Sequence, residues 1–163
     1  MDPSRRTLLG MGGAGLLAGI VALLPTRRGE AAAATYPFRL SDAQWRQRLA
    51  PKAYAVLRRA DTEYPGSSPL NKEHRRGTFV CAGCGNPLYR SEDKFESGTG
   101  WPSFTAPIEG AVRTRKDDTL FMARTEVHCR RCGGHLGHVF DDGPRPTGKR
   151  YCMNGVAMRF VPA

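Results

Sequence analysis

The sequence is poor in acid. It has 15 Asp and Glu against 25 Lys and Arg in 163 residues, a formal charge of +10 at neutral pH. A surplus of that size suits nucleic acid or an anionic surface as partner, and equally a soluble basic surface with no such partner. No segment recurs at a fixed period, which excludes solenoids and propellers. No tract of low complexity occurs beyond the alanines at 31–34. Cysteine is limited to five, so any pairing leaves one over. The length suits one domain of ordinary size with a modest core. Gly, at 19, and Pro, at 12, are plentiful. That mixture favours short strands joined by turns over a helical bundle.

The first 34 residues read as an export signal. Arg5 and Arg6 give a basic start, an apolar run follows to Leu24, and small residues close it at 31–34. The paired arginines stand ahead of Leu8 and Leu9, five glycines dilute the run, and Arg27 and Arg28 follow it. These features point to the twin-arginine type. Cleavage is expected near Ala34 and Thr35. Left uncleaved, the run sits at the low end of the ~17–25 residues that cross a bilayer, and it would be the sole membrane contact. The chain then divides into a signal at 1–34 and one domain at 35–163. Four arginines and two acids leave with the signal, which takes the charge from +10 to +8. Export puts the domain in the periplasm or cell envelope and argues against nucleic acid.

Ser41 followed three residues later by Gln44 resembles a capping box, so a helix is predicted from Asp42. Pro51 either interrupts it or opens a second helix, whose apolar side is Ala53, Tyr54, Val56 and Leu57. Residues 61–69, with two prolines and Gly66, form a loop. From Thr78 the texture changes to short apolar runs between Gly and Pro. Strands are predicted at 78–81, 120–127 and 138–140. Val156, Met158 and Phe160 alternate with Ala157, Arg159 and Val161, the period of a strand with one buried face. The fold class is mainly β and antiparallel, with a short helical N-terminal arm. The loops at 97–103 and 141–148 are where function is expected.

Four cysteines form two pairs, Cys81-x-x-Cys84 and Cys129-x-x-Cys132, followed by Gly85 and Gly133. A tight turn carrying two thiolates needs a residue that tolerates positive φ, and Gly does so without steric cost. Two such knuckles brought together offer four sulfurs at the corners of a tetrahedron, which suits one structural Zn²⁺. Two disulfides, or a redox-active pair, are the alternatives. The 44 residues between the pairs imply that the metal staples segments from opposite ends of the domain. His128, His135 and His138 lie near the second knuckle, but four thiolates leave no need for them as ligands.

The fifth cysteine, Cys152, sits in Arg150-Tyr151-Cys152-Met153-Asn154. A buried free thiol is the plain reading. On a strand, however, Arg150 and Asn154 share its face, and a nearby cation favours the thiolate of a cysteine. His135 and His138, followed by Asp141 and Asp142, bring acid–base groups. Trp101, held between Gly100 and Pro102, makes a rigid aromatic wall or a core residue.

These segments, in this order, resemble the B-type peptide methionine-(R)-sulfoxide reductases. The carriers are Cys81-x-x-Cys84-Gly85, Lys94-Phe95-x-Ser97-Gly98-x-Gly100-Trp101-Pro102-Ser103-Phe104, Cys129-x-x-Cys132-Gly133, His135-Leu136-Gly137-His138-Val139-Phe140 and Arg150-Tyr151-Cys152-x-Asn154. Val56-Leu57-Arg58 and Thr62-Glu63 also fit, and the resemblance covers nearly all of 41–160. It implies two antiparallel sheets, a structural zinc on the four paired cysteines, and Cys152 as the catalytic thiol that attacks a sulfoxide sulfur. His135, His138 and a water held by Asn154 would protonate the leaving oxygen, with Asp142 orienting the imidazoles. Arg150 would hold the thiolate, Trp101 would receive the substrate methyl, and Phe160 would extend the pocket.

The sequence departs from the family in two places. Many members carry a resolving cysteine where this chain has Thr99, and no sixth cysteine replaces it. The product sulfenic acid on Cys152 must then be reduced from outside, by a thioredoxin-like protein or another thiol. The second departure is Gly155, where the family usually has Ser and a tuning effect is expected. Oxidised proteins or peptides are the expected substrate. The rival readings are a non-catalytic zinc module that binds an acidic partner or nucleic acid through its basic surface, and a thiol–disulfide oxidoreductase using a Cys-x-x-Cys pair.

Overall fold

The computed structural model describes residues 36–118 and 123–163. The signal expected at 1–34 lies outside the described residues. Among those described, no helix is long and apolar enough to cross a membrane.

The arm forms as the sequence predicts. Helix α1 spans Asp42–Arg48, and its cap Ser41 exchanges both capping-box hydrogen bonds with Gln44. Such a cap contributes about 1 kcal/mol. Helix α2 spans Pro51–Arg59 with Pro51 at its first turn, where the missing N–H costs nothing. It buries Ala53, Tyr54, Val56 and Leu57. Trp45 of α1 is buried against the same core.

Among the described residues nine strands follow: β1 (Gly77–Cys81), β2 (Pro87–Arg90), β3 (Lys94–Phe95), β4 (Ser103–Phe104), β5 (Val112–Asp117), β6 (Arg124–Cys129), β7 (His135–Phe140), β8 (Arg150–Met153) and β9 (Met158–Pro162). They build two antiparallel sheets, one ordered β2-β1-β9 and one ordered β3-β4-β8-β7-β6-β5. The core is aromatic. Tyr89 stacks on Phe104 at 4.3 Å between ring centres, and Phe79 meets Phe104 edge-on at 4.9 Å. Each such pair adds about 0.5–1.5 kcal/mol beyond the area it buries. The Tyr89 hydroxyl, fully buried, finds the Met153 sulfur at 3.1 Å.

Two predicted strands shift. The one expected at 120–127 starts at Arg124 and runs on to Cys129, because its register with β5 ends at Val112 opposite Cys129; residues 119–122 lie outside the described ones. The alternation expected from Val156 begins only at Met158. Residues Gly155–Ala157 form a 3₁₀ turn that buries Ala157 and leaves Val156 half-exposed. That turn is held by a side chain distant in sequence, Glu63.

Candidate active site and metal centre

The two knuckles meet. Cys81 ends β1 and Cys129 ends β6, so each sheet contributes one pair. Gly85 and Gly133 adopt φ of 73° and 70° and return N–H bonds to the Cys81 and Cys129 carbonyls, at 2.8 Å each. All four sulfurs are buried and lie within 4.8 Å of one another. Across the knuckles, Cys81 is 3.7 Å from Cys132 and Cys84 is 3.6 Å from Cys129. Those spacings exceed any disulfide. They match the ~3.8 Å edge of a tetrahedron with metal–sulfur bonds of ~2.3 Å. Without a cation the sulfurs cannot all ionise: hydrogen bonds from Cys132, Cys81 and Cys84 hold the Cys129 thiol down, and those with Cys129 and Cys132 push Cys81 up. The donor set fits a structural metal. His128, His135 and His138 are not part of the cluster; His128 meets the Tyr36 ring edge-on at 5.9 Å.

The arm seals this centre. Arg48 donates to the Gly83 carbonyl at 2.6 Å and Arg58 to the Cys132 carbonyl at 3.1 Å. Arg131 reaches the Cys84 carbonyl at 2.9 Å. A Cβ on Gly134 would lie 2.7 Å from the Leu57 side chain, so α2 rests directly on the second knuckle.

From that knuckle β7 runs to the second site. Register places Cys152 of β8 opposite His138 of β7 on one side and Ser103 of β4 on the other. Directly opposed residues share a face, so His138 and the thiol project together. Gly137 makes the pairing possible, since a Cβ there would lie 2.1 Å from the Cys152 carbonyl. Cys152 is half-exposed. The cleft around it, about 140 Å³, is lined by Thr62, Trp101, Arg124, Gly137, His138, Phe140, Cys152 and Asn154. That volume suits the end of one side chain, well below the ~300–1,000 Å³ of a pocket for a whole small ligand.

His138 contacts Asp117 at 2.7 Å, and Arg124 donates to the same carboxylate oxygen at 2.9 Å. Burial holds His138 below its ordinary pKa; the Arg124 and His135 charges act the same way, and Asp117 opposes them only in part. His135 stands behind it, rings 5.5 Å apart, with Nδ1 2.8 Å from Glu126. Burial alone would raise Glu126, but hydrogen bonds from His135 and Arg115 hold it below the ordinary glutamate value. Both imidazoles also face a second, larger cleft of about 540 Å³ that meets the first at Thr62, Arg124 and His138.

Two predicted site residues are corrected. Asp142 does not orient the imidazoles. It is 62% exposed and takes two bonds of 2.8 Å from Arg150, which lower its pKa and fix the guanidinium. Asp117 and Glu126 occupy the role expected of it. Phe160 does not extend the pocket: it lies in the three-stranded sheet, 5.1 Å from Phe79 and beneath Arg75 at 5.2 Å. Phe140 is the second aromatic of the cleft, and Arg150 stacks on it at 4.4 Å. Asp142 chiefly, and the Cys152 sulfur to a lesser degree, raise the Arg150 pKa. Asn154 lies just beyond β8. It spends one N–H on the Leu136 carbonyl at 3.1 Å and one lone pair on the Glu63 N–H at 3.0 Å, which leaves one of each.

Glu63 ties these parts together. Its N–H holds Asn154, its carbonyl accepts from Trp101 Nε1 at 3.1 Å, and its carboxylate accepts from the N–H groups of Gly155 and Val156. It is 8% exposed, and burial pushes its pKa up in spite of those bonds. Gly155 has a spatial reason: a Cβ there would lie 1.9 Å from Ser68 Oγ, which fills the space a serine at 155 would use. The sequence pointed to Thr62-Glu63 only through the resemblance. Asp117, Glu126, Arg124 and Phe140 carried no local signal.

The SelR domain family matches residues 49–162. The chain is similar to proteins named peptide methionine sulfoxide reductase MsrB from several organisms. That from Bradyrhizobium diazoefficiens is 55% identical over 123 residues, covering 75% of this chain and 88% of that protein. The Leptospira interrogans protein is 49% identical over 126 residues, 77% of this chain and 96% of its own. The Methanosarcina barkeri protein is 52% identical over 121 residues, 74% and 85%.

Removal of the metal should loosen both sheets. Elemental analysis should find a single divalent ion per chain, lost in Cys129→Ser together with a fall in Tm of more than about 10 °C, because breaking such a site costs several kcal/mol. A metal-free protein with an unchanged Tm would refute a structural centre.

Proposed function

The chain belongs to the SelR-domain family of MsrB-type methionine sulfoxide reductases, and we propose that it reduces methionine-(R)-sulfoxide through Cys152, in oxidised proteins and peptides and in the free amino acid. The observation that carries this reading is the register of β8, with Cys152 opposite His138 in a cleft sized for one side chain. Trp101 and Phe140 wall that cleft and receive the apolar methyl. The Cys152 thiolate attacks the sulfoxide sulfur; the sulfur–sulfur bond so formed and the substrate's sulfur–oxygen bond both break as the oxygen passes to the cysteine. The oxygen, with one proton, ends on the cysteine as a sulfenic acid, and methionine leaves. The sulfoxide gains two electrons and the cysteine loses two. His138 supplies the proton, steadied by Asp117, with His135 and Glu126 behind it. Arg150, clamped by Asp142, keeps a positive charge on the neighbouring end of β8.

With Thr99 in place of a resolving cysteine, an outside thiol completes the cycle. It attacks the sulfenic sulfur, water leaves, and a second thiol frees Cys152 from the mixed disulfide. A thioredoxin-like protein offers both thiols. Cys81, Cys84, Cys129 and Cys132 would hold zinc, whose tetrahedral preference and affinity for thiolates suit them; bound there it would neutralise the buried charge and serve the fold, not the reduction. Export by the twin-arginine route, resting on Arg5, Arg6 and the segment to Ala34, puts this repair in the cell envelope.

Three outcomes test the proposal. Without reductant, the protein should convert a single equivalent of an (R)-sulfoxide peptide, leave the (S) epimer untouched, and gain one oxygen on Cys152 by mass spectrometry; a Cys152→Ser variant that still reduces it would overturn the mechanism. The ratio of wild-type to His138→Gln single-turnover rates should grow as pH falls from about 8 toward 5.5, since the proton fills an imidazole whose pKa lies below the usual ~6.5. A ratio that stays flat removes His138 as the acid. On cell fractionation, Arg5→Lys with Arg6→Lys should retain the protein in the cytoplasm; a cytoplasmic wild type would reject export.

A further inference from the structure

Three hydroxyls stand in a row beside the nucleophile. Thr99 Oγ1 is 3.8 Å from Cys152 Sγ, and Ser97 Oγ is 2.8 Å from Thr99 Oγ1. Ser103 Oγ is 2.8 Å from Ser97 Oγ and donates to the Trp101 carbonyl at 3.2 Å. Counting protons orders the chain. Each hydroxyl has one to give, and a carbonyl only accepts. Ser103 gives its proton to Trp101, so Ser97 must give to Ser103, and Thr99 to Ser97. The backbone N–H of Thr99, at 3.4 Å, takes the other lone pair of Ser97. What faces Cys152 is a lone pair of Thr99, an acceptor for the thiol S–H.

A thiolate needs the opposite. Each hydroxyl can turn about its C–O bond, so that Ser103 gives to Ser97, Ser97 to Thr99, and Thr99 to the sulfur. Two neutral bonds are lost, the weak one from the thiol S–H to Thr99 and the one from Ser103 to the Trp101 carbonyl. One charge-assisted bond is gained, and such bonds are roughly twice as strong. The chain is no exit for a proton, because the carbonyl cannot take one; the thiol proton leaves to water in the cleft.

We propose that Thr99 is a further catalytic residue, which accepts from Cys152 as a thiol and, by reversal of this hydroxyl chain, donates to it as the attacking thiolate. The inference rests on Cys152 being the nucleophile of the reductase. It gives Thr99 a task of its own at the place where a second cysteine would otherwise stand.

The test is the rate at which iodoacetamide alkylates Cys152 at neutral pH, followed on its peptide by mass spectrometry, with the single-turnover rate beside it. Thr99→Val keeps the shape and removes the hydroxyl; both rates should fall about three- to tenfold. Thr99→Ser should stay within about twofold of wild type, since the hydroxyl is retained. Ser97→Ala should be as fast as wild type or faster, because Thr99 is then free to turn its proton to the sulfur. Thr99→Val as fast as wild type, or Ser97→Ala as slow as Thr99→Val, overturns the proposal, the latter leaving the row a packing element only. If Cys152→Ser is inactive and the Thr99 series is flat, this inference alone falls; if Cys152→Ser remains active, the reductase mechanism falls first.

Discussion

Four cysteine sulfurs share a space less than 4.8 Å across in the interior. Thiolates at that spacing repel one another, and burial denies them water. A positive ion at their centre would relieve both and make the burial of the knuckles tolerable. The consequences spread outward. Cys81 anchors one sheet and Cys129 the other, so the cluster fixes how the two lie on the core of Phe79, Tyr89 and Phe104. The arm then closes over the knuckles, with Arg48 and Arg58 satisfying carbonyls that the tight turns leave bare. Part of the basic surplus is therefore spent inside the fold.

Cys152 takes its position from a strand that leads away from that centre. Three residues after Cys132 the chain enters β7, and β7 sets His138 against Cys152. On the far side of β8, β4 sets Ser103 against the same cysteine and begins the hydroxyl row. Cys152, His138 and Ser103 thus stand on three adjacent strands whose backbone bonds hold them in register. Loops complete the site, and Glu63 disciplines them. One buried residue bonds Asn154, Trp101 and the 3₁₀ turn after β8, so Trp101 and the end of β8 share one anchor.

Charge around the cleft is arranged in pairs, with few single ions. Arg150 is held by Asp142, His138 by Asp117, and His135 by Glu126. Each imidazole thereby has a carboxylate that fixes its orientation. The open, half-exposed thiol fits a cycle in which the second sulfur arrives from another molecule.

The sequence by itself determined the parts whose physics is local. The capping box at Ser41, Pro51 at a helix start, the paired knuckles with Gly85 and Gly133, and the mainly β texture all depend on neighbours a few residues away. Family resemblance added two sheets and the site at Cys152. Tertiary structure alone decided which carboxylate meets which imidazole. Asp142 is four residues from His138 in sequence, yet the β7–β8 turn carries it to Arg150, while strand pairing brings Asp117 and Glu126 across from β5 and β6. It likewise sent Phe160 to the other sheet and put Phe140 in the cleft, and it gave Glu63 its bonds to residues more than 35 positions away. Such contacts arise from register between strands distant in the chain, and register is set by the packing of the whole core, which no short stretch of sequence contains.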